Sequence, residues 1–283
     1  MSSTAAATIN ECSRRSVCLF GTSANPPTGT GGHRGIVSAL SSLRRESPGN
    51  TNNTSHVQAD SMANSAEQQQ QDPYQFDEVR VVPVYRHMFA SKRGNQASFD
   101  DRMEMCRRAF DGIDRVTVSD CERICFDKAA MELNEGEKAS LRVGTADLLD
   151  MLLADEPNTN FSFALGADTF MDLTTFKWRR SHDVLDLVSS RLLVIYRLLD
   201  SDSKFCEHDL QERIAKVNSD QCRKEGKEGG NNGPARLLQI PTLTTTSSSL
   251  VRSTADESVL GDLLVPEVLD YIKQRELYSF AKR

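Results

Sequence analysis

Apolar runs of strand length alternate with amphipathic stretches through most of this chain, and that alternation limits its fold more than any other feature. The run 16–22 (SVCLFGT) is almost continuously apolar, as a strand covered on both faces must be. Behind it, Ile36, Val37, Leu40 and Leu43 lie on one stripe and predict a helix over 32–45. The pattern repeats with a strand over 76–84, a helix over 99–110, a short strand over 116–119 and a helix over 146–154. A strand at 161–165, a helical stretch at 178–188, strands at 192–197 and 237–240, and closing helices over 252–277 complete it. Strands separated by helices imply an α/β fold, a doubly wound parallel sheet with a C-terminal helical segment. In such sheets a ligand lies beyond the carboxyl ends of the strands, where the strand order reverses.

Two stretches interrupt the pattern. Residues 47–72, rich in Ser, Asn and Gln, and residues 200–233, which include KEGKEGGNNG, show almost no periodic apolar spacing. They are expected to be polar, disordered insertions, because they bury too little apolar surface to offset their ordering entropy. Setting them aside leaves roughly 220 of the 283 residues, enough for one well-buried core. The expected organisation is a flexible tail over 1–15 and a single domain over 16–283.

Charge and cysteine content narrow the function classes. A net charge of −6 offers no broad cationic surface for nucleic acid, so none is expected as a partner. A nucleotide needs only a few local donors and stays open. No apolar run approaches the roughly 18 residues that span a bilayer, so no membrane partner is expected. The start, MSSTAAATINECSRRS, lacks the apolar core of a secretory signal. Its Ser/Thr/Ala bias and two arginines suit part of an organelle transit peptide, while Glu11 argues against one. A cytoplasmic location is the expectation, with organelle targeting left open, as is assembly into a homo-oligomer. The seven cysteines, Cys12, Cys18, Cys106, Cys121, Cys125, Cys206 and Cys222, form no paired CxxC set and no zinc pattern, so idle free thiols are expected and no metal ligands.

Three segments carry chemistry. GTSANPPTGTGGH (21–33) joins the first strand to the first helix through four glycines and two prolines. Small residues let backbone N–H groups approach an oxyanion, and the helix start behind them favours negative charge. His33, in the first turn, is placed to donate to a phosphate oxygen. SSSLVRS (247–253) pairs serines suited to capping a helix with Arg252, whose forked guanidinium fits phosphate. LGADTFMDLTTFKW (165–178) ends a strand in Gly166-Ala167-Asp168, so that Asp168 stands at the carboxyl edge of the sheet. Trp178, the single tryptophan, follows ten residues later. Taken singly, each segment also reads as an ordinary loop or rim.

Together they resemble the nicotinate/nicotinamide mononucleotide adenylyltransferase family of the nucleotidylyltransferase superfamily. GTSANPPT followed by GGH resembles the superfamily's first motif, SSSLVR its S-S-T-x-x-R element with Ser249 at the threonine position, and VPEVLDYIKQRELY the family's closing helix. The first loop is about two residues longer than the family's. Thr28 matches by following Pro27 and Thr30 by its distance from His33, so either could face the triphosphate.

The resemblance implies a Rossmann-like fold and transfer of the adenylyl group of ATP to nicotinate or nicotinamide mononucleotide, yielding a dinucleotide and pyrophosphate in NAD biosynthesis. It implies His33 and Arg252 as catalytic groups. The ATP site is expected to comprise Gly21, Thr22, Thr28, Thr30, Gly32, His33, Gly166, Asp168, Ser248, Ser249 and Arg252. The mononucleotide site is expected to draw on Ser23, Asn25, Lys92, Arg102, Thr145, Trp178 and Arg197. Mg²⁺ would arrive with ATP, held by phosphates and water. Two alternatives stay open: a nucleotidylyltransferase for a phosphopantetheine-type acceptor, and a non-catalytic nucleotide-binding module.

Overall fold

A computed structural model describes residues 14–43, 76–86, 96–188, 192–197, 205–224 and 235–281. Strand β1 (Arg15–Thr22) buries Val17, Cys18, Leu19 and Phe20 in succession. Period-two geometry sends alternate residues to opposite faces. Cys18 and Phe20 therefore join one apolar cluster while Val17 and Leu19 join another. Both faces of the sheet are covered, which accounts for the near-continuous apolar sequence.

The remaining strands are β2 (Glu78–Pro83), β3 (Val116–Val118), β4 (Thr159–Gly166), β5 (Leu192–Tyr196) and β6 (Ala235–Gln239). All pair in parallel, in the order β3-β2-β1-β4-β5-β6. The chain steps outward from β1 to β3, then returns to the other side of β1 with β4. The reversal opens a crevice beyond the carboxyl ends of those two neighbours.

On the Cys18 face pack α1 (His33–Ser42), α2 (Phe99–Phe110), α9 (Ser248–Ser253), α10 (Glu257–Leu263) and α11 (Pro266–Gln274). On the other face lie α3 (Cys121–Ala130), α5 (Thr145–Asp155), α6 (Ala167–Thr174), α7 (Ser181–Val188) and α8 (Glu207–Lys224); the short α4 (Glu135–Ser140) joins α3 to α5. Cys121 and Cys125 share the buried face of α3, as their four-residue spacing requires. Cys18, Cys106, Cys121, Cys125 and Cys206 are free thiols. No helix among the described residues is long and apolar enough to cross a membrane.

Several elements differ from the sequence expectation. Within 200–233, expected to be a disordered insertion, α8 forms 18 residues of helix. Leu210 and Ile214 are buried and Val217 packs beside them, an i, i+4, i+7 stripe diluted by the surrounding charges. The Asn218 side chain fixes the helix to β6 by donating to the Ala235 carbonyl at 3.1 Å and accepting from its N–H at 2.9 Å. Helices α3, α4 and α6 occupy stretches for which no helix was expected. The insertion over 47–72, Lys92 and most of the tail lie outside the described residues.

A candidate active site at the carboxyl edge of the sheet

The crevice at the reversal is a cavity of about 400 Å³, within the usual range for a small-molecule site. Gly21, Thr22 and Ser23 from the end of β1, His33 and Ile36 from α1, Gly166, Asp168 and Thr169 from the β4–α6 junction, and Arg197 after β5 all line it. Segments separated by up to about 175 residues thus meet where the topology opens. The donors for an anion are built into the backbone. Helix α1 starts at Gly32 with no side-chain cap and no acid in its first turn, and α6 starts at Gly166 with no side-chain cap. At α6 this leaves first-turn N–H groups for a ligand oxygen, whereas at α1 the N–H groups of His33 and Arg34 are taken by Thr28.

His33 is oriented from behind by Thr28. The Thr28 N–H donates to His33 Nδ1 at 3.2 Å, the two side chains meet at 2.7 Å, and the His33 N–H donates to Thr28 Oγ1 at 3.0 Å. A backbone N–H can only donate, so Nδ1 is the acceptor and the ring proton sits on Nε2. Thr28 is 1% exposed and holds the histidine, whereas Thr30 is exposed on the outside of the turn. The loop closes into α1 through a turn from the Gly32 N–H to the Gly29 carbonyl at 2.9 Å. A Cβ on Gly32 would overlap Thr28 Oγ1, and one on Gly35 would overlap the Thr30 carbonyl, so both close approaches depend on glycine. Gly35 carries no signal in the sequence beyond its identity.

Burial, and secondarily the positive charge of Arg197, push the His33 imidazole down from 6.5 to about 4. The ring is therefore a neutral hydrogen-bond donor at neutral pH. The unfolded chain takes up this proton near 6.5 and the folded one near 4. The corresponding stability is fully present above the first value and declines as the pH falls toward the second. In a histidine-ring NMR titration, His33 is expected to show a midpoint near 4, and Arg197→Gln is expected to move it upward. A midpoint near 6.5 in the unaltered protein would contradict this environment.

The serine–arginine segment docks on the same loop. Ser247 caps α9 by accepting from the Leu250 N–H at 3.2 Å. Ser248 donates to the Pro26 carbonyl at 2.8 Å, while Arg252 donates to the Asn25 carbonyl at 2.6 Å and to Ser249 Oγ at 3.1 Å. Just upstream, the Thr244 N–H donates to the Gly31 carbonyl at 2.9 Å, and the Thr246 carbonyl accepts from Arg197 at 3.0 Å. Thr244 and Thr246 were not singled out in the sequence; the threonine run before SSSLVRS was the available signal.

The residues expected at the mononucleotide are divided. Ser23 and Arg197 line the His33 cavity, Arg197 beside the histidine whose proton affinity it lowers. Arg102 does not reach it. Its guanidinium is buried and donates to the carbonyls of Ala97, Ser23, Val84 and Tyr85, at 2.6 to 3.2 Å. A helix-start arginine reads in sequence as a surface ligand; here it bridges three chain segments from within. Asn25 is also buried, with Oδ1 accepting from the Ala97 N–H at 3.0 Å and the Tyr278 hydroxyl at 2.8 Å.

Thr145, the first residue of α5, and Trp178 lie outside the cavity lining. The Trp178 ring meets Phe163 edge-on at 6.5 Å between centroids, and Phe163 lies under Gly21. Asp147 ties these two elements together by accepting from the Gly144 N–H at 2.8 Å and pairing with Arg179 and Arg180 at 2.9 Å each.

No family model matches the sequence. Among curated proteins, the "Probable nicotinate-nucleotide adenylyltransferase" of Anaeromyxobacter dehalogenans strain 2CP-1 is 30% identical over 205 residues, 71% of this chain and 80% of that protein. A protein of the same description from Anaeromyxobacter sp. strain K matches at the same identity and coverage. Among solved structures, Plasmodium falciparum nicotinic acid mononucleotide adenylyltransferase complexed with APC superimposes with a TM-score of 0.57 at 19% identity, covering 94% of this chain and 98% of that one. The same Plasmodium protein complexed with NaAD gives a TM-score of 0.58 at 19% identity and the same coverage. At that identity the structural likeness bears on the fold, and it is the same α/β arrangement.

Proposed function

This chain belongs to the nicotinate-nucleotide adenylyltransferase family, and from that premise we propose that the His33 cavity and the α9 start are the two walls of its nucleotide site. The protein is a nucleotidyltransferase of NAD biosynthesis. A phosphate oxygen of the mononucleotide attacks the α-phosphorus of ATP, the bond to the β-phosphate oxygen breaks, and pyrophosphate leaves with the electron pair. We take nicotinate mononucleotide as the acceptor, following the description carried by the Anaeromyxobacter relatives.

The observation that carries the site assignment is the docking of α9 on the glycine loop through Ser248 and Arg252. No covalent intermediate is needed, because positioning and charge stabilisation account for this kind of transfer. His33 Nε2–H donates to the α-phosphate as negative charge accumulates there. Arg197, next to His33, is assigned to the phosphate side of the cavity rather than to the pyridine side. Arg252 supplies the fixed charge at the leaving end. Asp168, at the edge of β4, accepts from ribose hydroxyls, while Thr145 and Trp178 form the acceptor wall beyond Phe163. Mg²⁺ is part of the proposal as ATP's own counter-ion, offsetting charge on the departing pyrophosphate. Among the described residues Asp168 is the single acid in the cavity lining, a donor set suited to an ion held by phosphates and water.

Purified protein supplied with ATP, Mg²⁺ and each mononucleotide in turn should release pyrophosphate, and faster with nicotinate than with nicotinamide mononucleotide. Release only with a phosphopantetheine acceptor, or ATP binding without release, would replace this reading with one of its alternatives. Arg252→Ala should raise the ATP KM about tenfold or more, the size of losing one charge-assisted contact. Unchanged ATP dependence would remove Arg252 from the site.

A further inference from the structure

We propose that Tyr278 is a positioning residue for the phosphate end of the site, acting through Asn25 on Arg252; this rests on the assignment of Arg252 to the ATP phosphates. Tyr278 opens a 3₁₀ turn over Tyr278–Phe280 that follows α11. It sits at φ +56°, a conformation that side chains rarely adopt, so surrounding contacts hold it there. Its hydroxyl donates to Asn25 Oδ1 at 2.8 Å. The identity of that acceptor is fixed independently, since the Ala97 N–H also donates to it. Burial pushes the phenol well up from its ordinary range, so the group stays a donor at working pH.

Asn25 is thereby held from the side-chain end while its own carbonyl accepts from Arg252 at 2.6 Å. The next residue of the turn, Ser279, donates to the Thr254 carbonyl just past α9 at 2.8 Å. One short turn therefore grips both partners, the loop through Tyr278 and the helix through Ser279. With one guanidinium nitrogen fixed on Asn25 and the other on Ser249, the orientation of Arg252 depends on where Asn25 stands. Asn25, expected from the sequence at the mononucleotide, is buried with Oδ1 taken by Ala97 and Tyr278, and nothing in this chain of contacts touches Thr145 or Trp178, so the effect should be confined to ATP.

Tyr278→Phe keeps the ring and removes the hydroxyl. It is expected to weaken ATP binding about five- to tenfold, the effect of one buried hydrogen bond, both in the ATP KM and in direct calorimetric titration with ATP and Mg²⁺. The mononucleotide KM should stay within about twofold in the same assays. In an Arg252→Ala background the same change should weaken ATP by less than about twofold, because the residue it acts through is gone. ATP affinity unchanged in Tyr278→Phe would overturn the proposal. So would equal losses in both backgrounds, or a parallel rise in both KM values with a fallen melting temperature. Should the unaltered protein bind ATP but release no pyrophosphate with either mononucleotide, the transfer reading fails while the calorimetric cycle still judges Tyr278. Absence of ATP binding by the unaltered protein would overturn both.

Discussion

Alanine in place of His33 should lower turnover by about 10²-fold or more while leaving the melting temperature nearly unchanged. The expectation follows from how the ring is held. Both Thr28 donors point at Nδ1, so the remaining ring N–H serves the cavity. The ring is neutral and half-buried, so its removal deprives the fold of one local contact, and Thr28 keeps a backbone donor nearby in the His33 N–H. In the reaction, by contrast, the lost group donates where charge develops, and its value is realised mainly in the transition state. The measurement is pyrophosphate release under saturating ATP and mononucleotide, with circular dichroism and thermal melting as the structural control. A folded His33→Ala protein turning over at near the original rate would refute the role. Asn in its place, which still offers an N–H, should recover part of the loss.

Arg102→Ala should behave in the opposite way, unfolding the protein more readily before any effect on chemistry can be read. The side chain is among the largest fully buried ones, and it serves four carbonyls at once. Truncation strands those acceptors in a low-dielectric interior and leaves a void where the guanidinium lay 5.4 Å from the Phe99 ring centre. A loss of about 3–5 kcal/mol is expected, which for a domain of this size lowers the melting temperature by roughly 6–20 °C. Chemical or thermal denaturation checks it. A melting temperature within about 2 °C of the original would show that water satisfies those carbonyls, and that Arg102 is the ligand its place in the sequence suggested.

The contrast between these two residues marks what could be read from the chain alone. The place of His33 at the crevice was legible because a buried strand, a glycine turn and a helix start follow one another within 20 residues, and their geometry is local. Gly21, Gly166 and Asp168 share that logic, since each stands at the end of a strand whose type the apolar pattern reveals. The burial of Arg102 was not legible because its four partners come from Ser23, Val84, Tyr85 and Ala97, and no spacing rule brings those segments to one point. Thr28 and Thr30 differ only in burial, a property of the folded turn. Helix α8 was missed because Leu210, Ile214 and Val217 are outnumbered by charges that face solvent. Its stripe becomes visible once β6 and α6 are there to cover it.

The bonds that finish the glycine loop come from the far end of the chain, with Asn25 and Tyr278 separated by 253 positions. During ribosomal synthesis at about 5–20 residues per second, the loop waits on the order of 10–50 s for that partner to be made. Contacts of such sequence separation also carry the largest loop-closure entropy, which favours their forming after the local ones. Emergence of the segment around Tyr278 from the ribosome, rather than the pairing of any one strand, is thus the event after which the loop can acquire its full set of hydrogen bonds.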